Sequence, residues 1–228
     1  MAVSKRKKVV NLTSCKKDAK TRKNNLVESI RNTINKFSEA KESEAGAYIY
    51  LLSLSNQRNS PLKNLRAILL PGRLFYGKNK VMQLALGTKP ENELYDGVHK
   101  IAKDIVGEVA LLVTSDHPDL VAEKVNSYKV RDFAKSGNIA TETIVLKEGG
   151  SDFEQVPGNM EAQFRNLGLP TSLKMGKIVL MGDYVLSEEG KPLTPNQAHV
   201  LKLLGIRTAV FSAKVHSCLS DGEYKVFN

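Results

Sequence analysis

Tryptophan is absent from this chain of 228 residues, and its aromatics amount to seven Tyr and seven Phe. A platform that stacks successive single-stranded bases uses more exposed rings than that, so this mode of binding is disfavoured. Cysteine is nearly absent as well, with only Cys15 and Cys218, far apart and outside any CxxC spacing. Such a pair makes neither a disulfide framework nor a zinc site, and it suits a reducing compartment. No apolar run reaches the roughly 18 residues that a bilayer-crossing helix needs. The N-terminus is charged where a signal peptide requires an apolar stretch, which argues against export. His99, His117, His199 and His216 fall in four different segments without HxxH or HExxH spacing, so they read as surface or capping residues rather than metal ligands. No GxSxG-type nucleophile arrangement occurs. The acids Glu142, Glu148, Asp152, Glu154 and Glu161 are scattered as solvating charges are, with weak support for a paired-carboxylate site. The expectation is therefore a non-enzyme with no cofactor and no metal.

What the chain has in excess is positive charge at one end. The formal net charge is +10. The first 23 residues hold nine Lys/Arg, among them Lys5, Arg6, Lys7, Lys8, Lys16 and Lys17, against the single acid Asp18. A cationic tip on a nearly balanced chain points to a polyanion, with RNA first because phosphate contacts are additive and sequence-independent. An anionic membrane surface fits less well, since neither an apolar face nor a lipidation signal accompanies the charges. The plain alternative is a solvated tail. Lys5-Arg6-Lys7-Lys8 also suits a nuclear import signal.

Along the chain, Leu26, Val27, Ile30, Ile34 and Phe37 recur at helical spacing, with Arg22, Lys23 and Arg31 on the other face. The apolar run from Ala47 to Leu52 reads as a strand covered on both faces. Ser60 and Pro61 open a helix through Leu65 and Leu69, and Arg73 to Tyr76 is a short strand. A helix through Val81 and Leu84 ends at Gly87, a longer one runs from Leu94 to Ile105, and Val109 to Thr114 is a third strand. This alternation predicts an α/β fold with helices on both faces of a mostly parallel sheet. Past residue 126 the texture shifts to short strands among Gly and Pro turns. Lys177–Leu180 and Tyr184–Leu186 read there as a β pair around Met181-Gly182-Asp183. Thr194 and Pro195 then start a helix that ends at Gly205, and Ile206 to Phe211 is strand-like. The expected organisation is an α/β domain from residues 1–125 plus 194–228, interrupted by an inserted α+β module at 126–193.

Gly72 to Lys78 matches the P-loop pattern G-x-x-x-x-G-K, yet Asn79 stands where a magnesium-binding hydroxyl belongs, and apolar, β-prone residues fill the interval. The glycines bracket a strand, and nucleotide hydrolysis is a poor fit. Gly77-Lys78-Asn79-Lys80 makes better sense as a phosphate grip. Its glycine allows close approach, the following helix N-terminus offers unpaired amides, and two lysines add charge. A tight turn with solvated lysines is the plain alternative. Arg58, in the loop after the first long strand, is a candidate for the same edge or else a solvated arginine.

With these residues in view, the chain resembles the mRNA turnover protein 4 family, the ribosome-assembly relatives of the acidic stalk-base protein of the large ribosomal subunit. The resemblance runs over nearly the whole length. It is carried by Ser4 to Thr13 (SKRKKVVNLT) with Lys16-Lys17, by Phe75 to Gly87 (FYGKNKVMQLALG) and by Leu169 to Ile178 (LPTSLKMGKI). It implies an α/β RNA-binding domain interrupted by an inserted module. It also implies binding to large-subunit precursor ribosomal RNA at the stalk base, within a pre-60S particle and beside its ribosomal proteins, as a placeholder later exchanged for the stalk-base protein. Lys5, Arg6, Lys7, Lys8, Lys16, Lys17, Arg58, Gly77, Lys78, Asn79 and Lys80 match the family's RNA-facing positions. The implied location is the nucleus and nucleolus, with shuttling to the cytoplasm on the particle. The competing expectation within the family is a truncated stalk-base protein. The acidic, Phe-containing tail of that protein is missing from the chain's end at Asn228, which favours the assembly branch.

Overall fold

The computed structural model describes residues 19–39, 48–220 and 222–227. In chain order these form α1 (Ala19–Glu39), β1 (Tyr48–Ser55), α2 (Asn59–Ile68), β2 (Arg73–Phe75), α3 (Asn79–Leu86), α4 (Val98–Asp104), β3 (Val109–Thr114) and α5 (Pro118–Ser127). There follow β4 (Lys129–Asp132), β5 (Ile144–Leu146), α6 (Glu161–Asn166), β6 (Thr171–Lys174), β7 (Lys177–Leu180), β8 (Tyr184–Ser187), α7 (Pro195–Leu203), β9 (Ala209–Ser220) and β10 (Glu223–Val226). The fold is α/β, and the chain divides into two compact units.

The first unit takes the described residues up to Ser53, then Leu69–Val121 and Val215 onward. Its strands lie in the order β10-β9-β1-β3-β2. Every residue of β3 is buried. One face of the sheet, Ile49, Leu51, Val109, Leu111 and Val113, packs in a cluster with Ile30 and Ile34 of α1, Met82, Ala85 and Leu86 of α3, and Val98 and Ile101 of α4. The alternate residues Tyr50, Leu52, Ala110 and Leu112 are equally buried, so both faces of the sheet are covered. Each buried Val, Leu or Ile side chain contributes about 2 kcal/mol of burial free energy.

The strand direction departs from expectation. β1 runs antiparallel to β3 (Tyr48 opposite Thr114), as does β2 (Phe75 opposite Leu111), and β10 runs antiparallel to β9. An apolar run reports that two faces are covered, and that condition is the same for either direction. Smaller differences occur at helix ends. α2 begins at Asn59, one residue before the expected cap, and the expected Leu94–Ile105 helix contracts to α4 behind a 3₁₀ turn at Pro90–Asn92.

The second unit comprises Leu54–Ile68 and Ala122–Lys214. β4 pairs antiparallel with the first residues of β9 (Asp132 opposite Ala209). Its core gathers Leu146, Phe153, Phe164, Leu169, Ile178, Leu180, Leu186, Val200 and Leu201. Phe153 and Phe164 meet edge to face, 5.3 Å between centroids. α7 starts as expected: Thr194 Oγ1 accepts from Gln197 N at 3.3 Å, and the Gln197 side chain accepts from Thr194 N at 2.8 Å, a full capping box. The expected pairing of residues 177–180 with 184–186 does not occur. β7 pairs instead with β6, across a two-residue turn at Met175-Gly176, and β8 pairs with β5. Met175 (φ 49°) and Gly176 (φ 78°) both hold the left-handed backbone that a tight hairpin favours, whereas Met181-Gly182-Asp183 supplies no such turn.

Candidate nucleic-acid interface

Leu74 and Phe75 anchor β2 in the core, and the chain then surfaces through half-exposed Tyr76 and Gly77. Lys78 has an extended backbone (φ −70°, ψ 126°), and its carbonyl accepts from Val81 N at 2.8 Å and Met82 N at 3.1 Å, which starts α3. A lysine side chain has no acceptor to offer as a cap, and Lys78 makes no side-chain capping bond. Of the first-turn amides of α3, those of Asn79 and Lys80 have no partner among the described residues and keep the positive end of a helix open. Lys78 and Lys80 are exposed on either side of it. Asn79 serves the scaffold: its Nδ2 donates to the Gly107 carbonyl at 3.0 Å, tying the turn to the loop that precedes β3. Exposed Glu108 follows directly and is the one nearby acid on that loop.

Gly77 is required by packing. A Cβ there would stand 2.7 Å from Leu26 Cδ2 of α1. Five residues further along α1, Arg31 donates from Nε to the Ala85 carbonyl at 3.1 Å and from a guanidinium NH₂ group to the Leu84 carbonyl at 3.3 Å. Arg31, on the face opposite the apolar stripe, therefore closes carbonyls in the last turn of α3. These two contacts show that α1 and α3 run in the same sense, so their N-terminal ends share an edge. One turn ahead of Leu26, exposed Arg22 and Lys23 bring their charges to the edge that carries Lys78 and Lys80. Neither residue is among those that the sequence singles out as RNA-facing. The signal that could have found them was their helical phase, three and four residues before the side chain that meets Gly77.

Arg58 belongs to the second unit. One NH₂ group donates to the carbonyls of Phe133 (2.8 Å) and Ala134 (3.4 Å), and its buried Nε has no hydrogen-bond partner among the described residues. The guanidinium thus holds its own loop to the segment after β4. Lys5, Arg6, Lys7, Lys8, Lys16 and Lys17 lie outside the described residues.

In the P-loop-like stretch, β2 occupies the interval between Gly72 and Gly77, where a phosphate cradle would need a loop of exposed amides. Gly72 is buried against the Leu69 carbonyl and the Thr114 side chain. Among the described residues no group of three or more His, Cys, Asp or Glu could hold a metal ion. His99 is committed to Glu93 (Nδ1 to Oε2, 2.7 Å). Burial pushes the Cys218 thiol up to about 11, against lowering contributions from the Tyr50 hydroxyl and Lys225, so the thiol stays protonated. Among the described residues no helix is long and apolar enough to cross a membrane.

Two family models match this chain in succession. The family model described as Ribosomal protein L10 matches residues 18–130, and the model for the insertion domain of the 60S proteins of that family matches 134–206. The chain is 34% identical to the ribosome assembly factor mrt4 of Dictyostelium discoideum, over 98% of this chain and 96% of that one. It is 35% identical to the Schizosaccharomyces pombe ribosome assembly factor mrt4, over 92% and 88%. The large ribosomal subunit protein uL10 of Methanopyrus kandleri is 30% identical over 64% of this chain and 40% of its own. This chain belongs to the mrt4 family of ribosome assembly factors, relatives of the L10 ribosomal proteins.

Proposed function

We propose that this protein is a ribosome biogenesis factor that binds large-subunit precursor ribosomal RNA at the stalk base. It acts there as a non-catalytic placeholder and is later replaced by the mature stalk-base protein. The observation that carries this reading is the edge where exposed Lys78 and Lys80 flank the start of α3, whose Asn79 and Lys80 amides have no partner among the described residues, beside Arg22 and Lys23 of α1. Fixed dipoles and mobile ammonium groups at one edge suit the phosphates of a folded RNA, which proteins read by shape and backbone. The basic N-terminal residues Lys5 to Lys8, Lys16 and Lys17 extend the same electrostatic grip, and Arg58, which orders its own loop in the second unit, is an RNA contact of that unit. The reading places the protein on pre-60S particles in the nucleus and nucleolus, travelling with them to the cytoplasm.

The test is binding of the full chain to an RNA fragment spanning the stalk base. Reversing both charges, Lys78→Glu with Lys80→Glu, should lower affinity by at least about tenfold and reduce the log–log salt slope by about 2. Unchanged affinity with an unchanged slope would overturn the proposal. So would RNA cleavage or nucleotide turnover that is lost with Lys78.

A further inference from the structure

The β6–β7 hairpin ends in a tip that folding alone disfavours on three counts. Lys174 and Lys177 are direct cross-strand partners, so their ammonium groups project from the same face, and like charges so placed destabilise a pair. Neither lysine has an ion-pair partner among the described residues. Glu154 lines a cavity of about 170 Å³ together with Lys177, yet it does not bridge to it. Between the lysines, Met175 holds a positive φ of 49°, uncommon outside glycine, and its side chain is wholly exposed at 104% relative accessibility. The tip is nevertheless held firmly from behind. A Cβ on Gly158 would stand 2.3 Å from the Gly176 carbonyl oxygen and 3.2 Å from Leu173 Cδ1, so the turn lies directly against the backbone there. Locally unfavourable choices on a well-supported element mark a functional position.

We infer that this tip is a second RNA contact, with Lys174 and Lys177 straddling a backbone phosphate and Met175 packing as an apolar wedge on an unpaired base. The inference rests on the RNA-binding reading above and adds to it a site in the second unit. A phosphate relieves the lysine repulsion that the fold leaves standing. Two flexible point charges suit phosphate better than the planar geometry by which arginine recognises carboxylates. Methionine is among the apolar residues that proteins insert at base steps. A protein partner fits less well, because one methionine and two lysines fall far short of the roughly 800 Å² that each side of a stable protein interface contributes.

The experiment uses the full chain and the stalk-base RNA fragment, with Lys174→Gln plus Lys177→Gln. Affinity should fall about tenfold and the salt slope by about 1, since the two lysines share one phosphate. The melting temperature should hold or rise, since a repulsive pair has been removed. Met175→Asn keeps a residue that tolerates the left-handed backbone, and it should weaken binding about threefold without changing the slope. If the double variant leaves affinity and slope unchanged while the Lys78/Lys80 variant weakens binding, the hairpin site is refuted and the stalk-base reading stands. If neither variant has an effect, both are refuted. A photoreactive residue at position 175 should crosslink to RNA in precursor particles, and crosslinking to protein alone would overturn the inference.

Discussion

The two units bury their cores by different means. In the first, a central strand whose six residues are all buried packs on one face against α1, α3 and α4, and the core follows from alternation along β1 and β3. In the second, the strands that β5 to β8 contribute are three or four residues long. The core there depends on side chains from turns and short helices, with the Phe153–Phe164 pair at its centre. A regular sheet spreads its stability over many similar contacts, whereas an irregular module concentrates it in a few large side chains. The proposed RNA contacts follow the same division. The first unit offers helix ends and a glycine turn, and the second offers a hairpin tip.

The sharpest way to break this comparison is Phe164→Ala, which should cost about 4 kcal/mol by emptying the centre of the second core. Hydrogen exchange should show protection lost across β5 to β8 and α7 while β1 and β3 keep theirs. Loss spread equally over both units would mean that they unfold together. Leu111→Ala in β3 should cost about 3 kcal/mol, with the reverse pattern of exchange. Smaller losses of about 1 kcal/mol each are expected for Thr194→Ala, which opens the capping box, and Arg31→Ala, which frees the α3 carbonyls. Denaturant titrations of each variant measure these losses.

The smallest effect is a matter of pH. A hydrogen bond from the His99 ring holds the Glu93 carboxyl below its ordinary value of 4.5. A carboxyl depressed on folding adds stability above its unfolded value, and that stability is lost as pH falls through the folded one. Glu93→Gln should therefore lower the melting temperature slightly at neutral pH, with the difference from the parent closing in acid. A constant difference at every pH would show that the ionised carboxylate is irrelevant.

Much of the first unit was legible because burial writes itself into periodicity. The helical spacing from Leu26 to Phe37 and the run from Val109 to Thr114 both correspond to elements in the structure. Less was legible where a feature depends on what lies across space. The partner of β7 turned on whether Met175-Gly176 or Met181-Gly182-Asp183 makes the tight turn, and methionine in a left-handed conformation carries no compositional mark. The lysines of the turn after β2 were readable as candidates from their place before a helix. That Asn79 binds Gly107 and that Arg31 closes α3 depended on contacts between residues 28 and 54 positions apart.

Local chemistry written along the chain decided where helices lie, which strands are covered on both sides, and where charge accumulates, since each depends on a few neighbouring residues. Only the tertiary structure decided the antiparallel direction of the strands, the shared edge of α1 and α3, and the tasks of Asn79, Arg31 and Arg58. Hydrophobic burial has no direction, and the hydrogen-bond partners that supply one are distant in sequence.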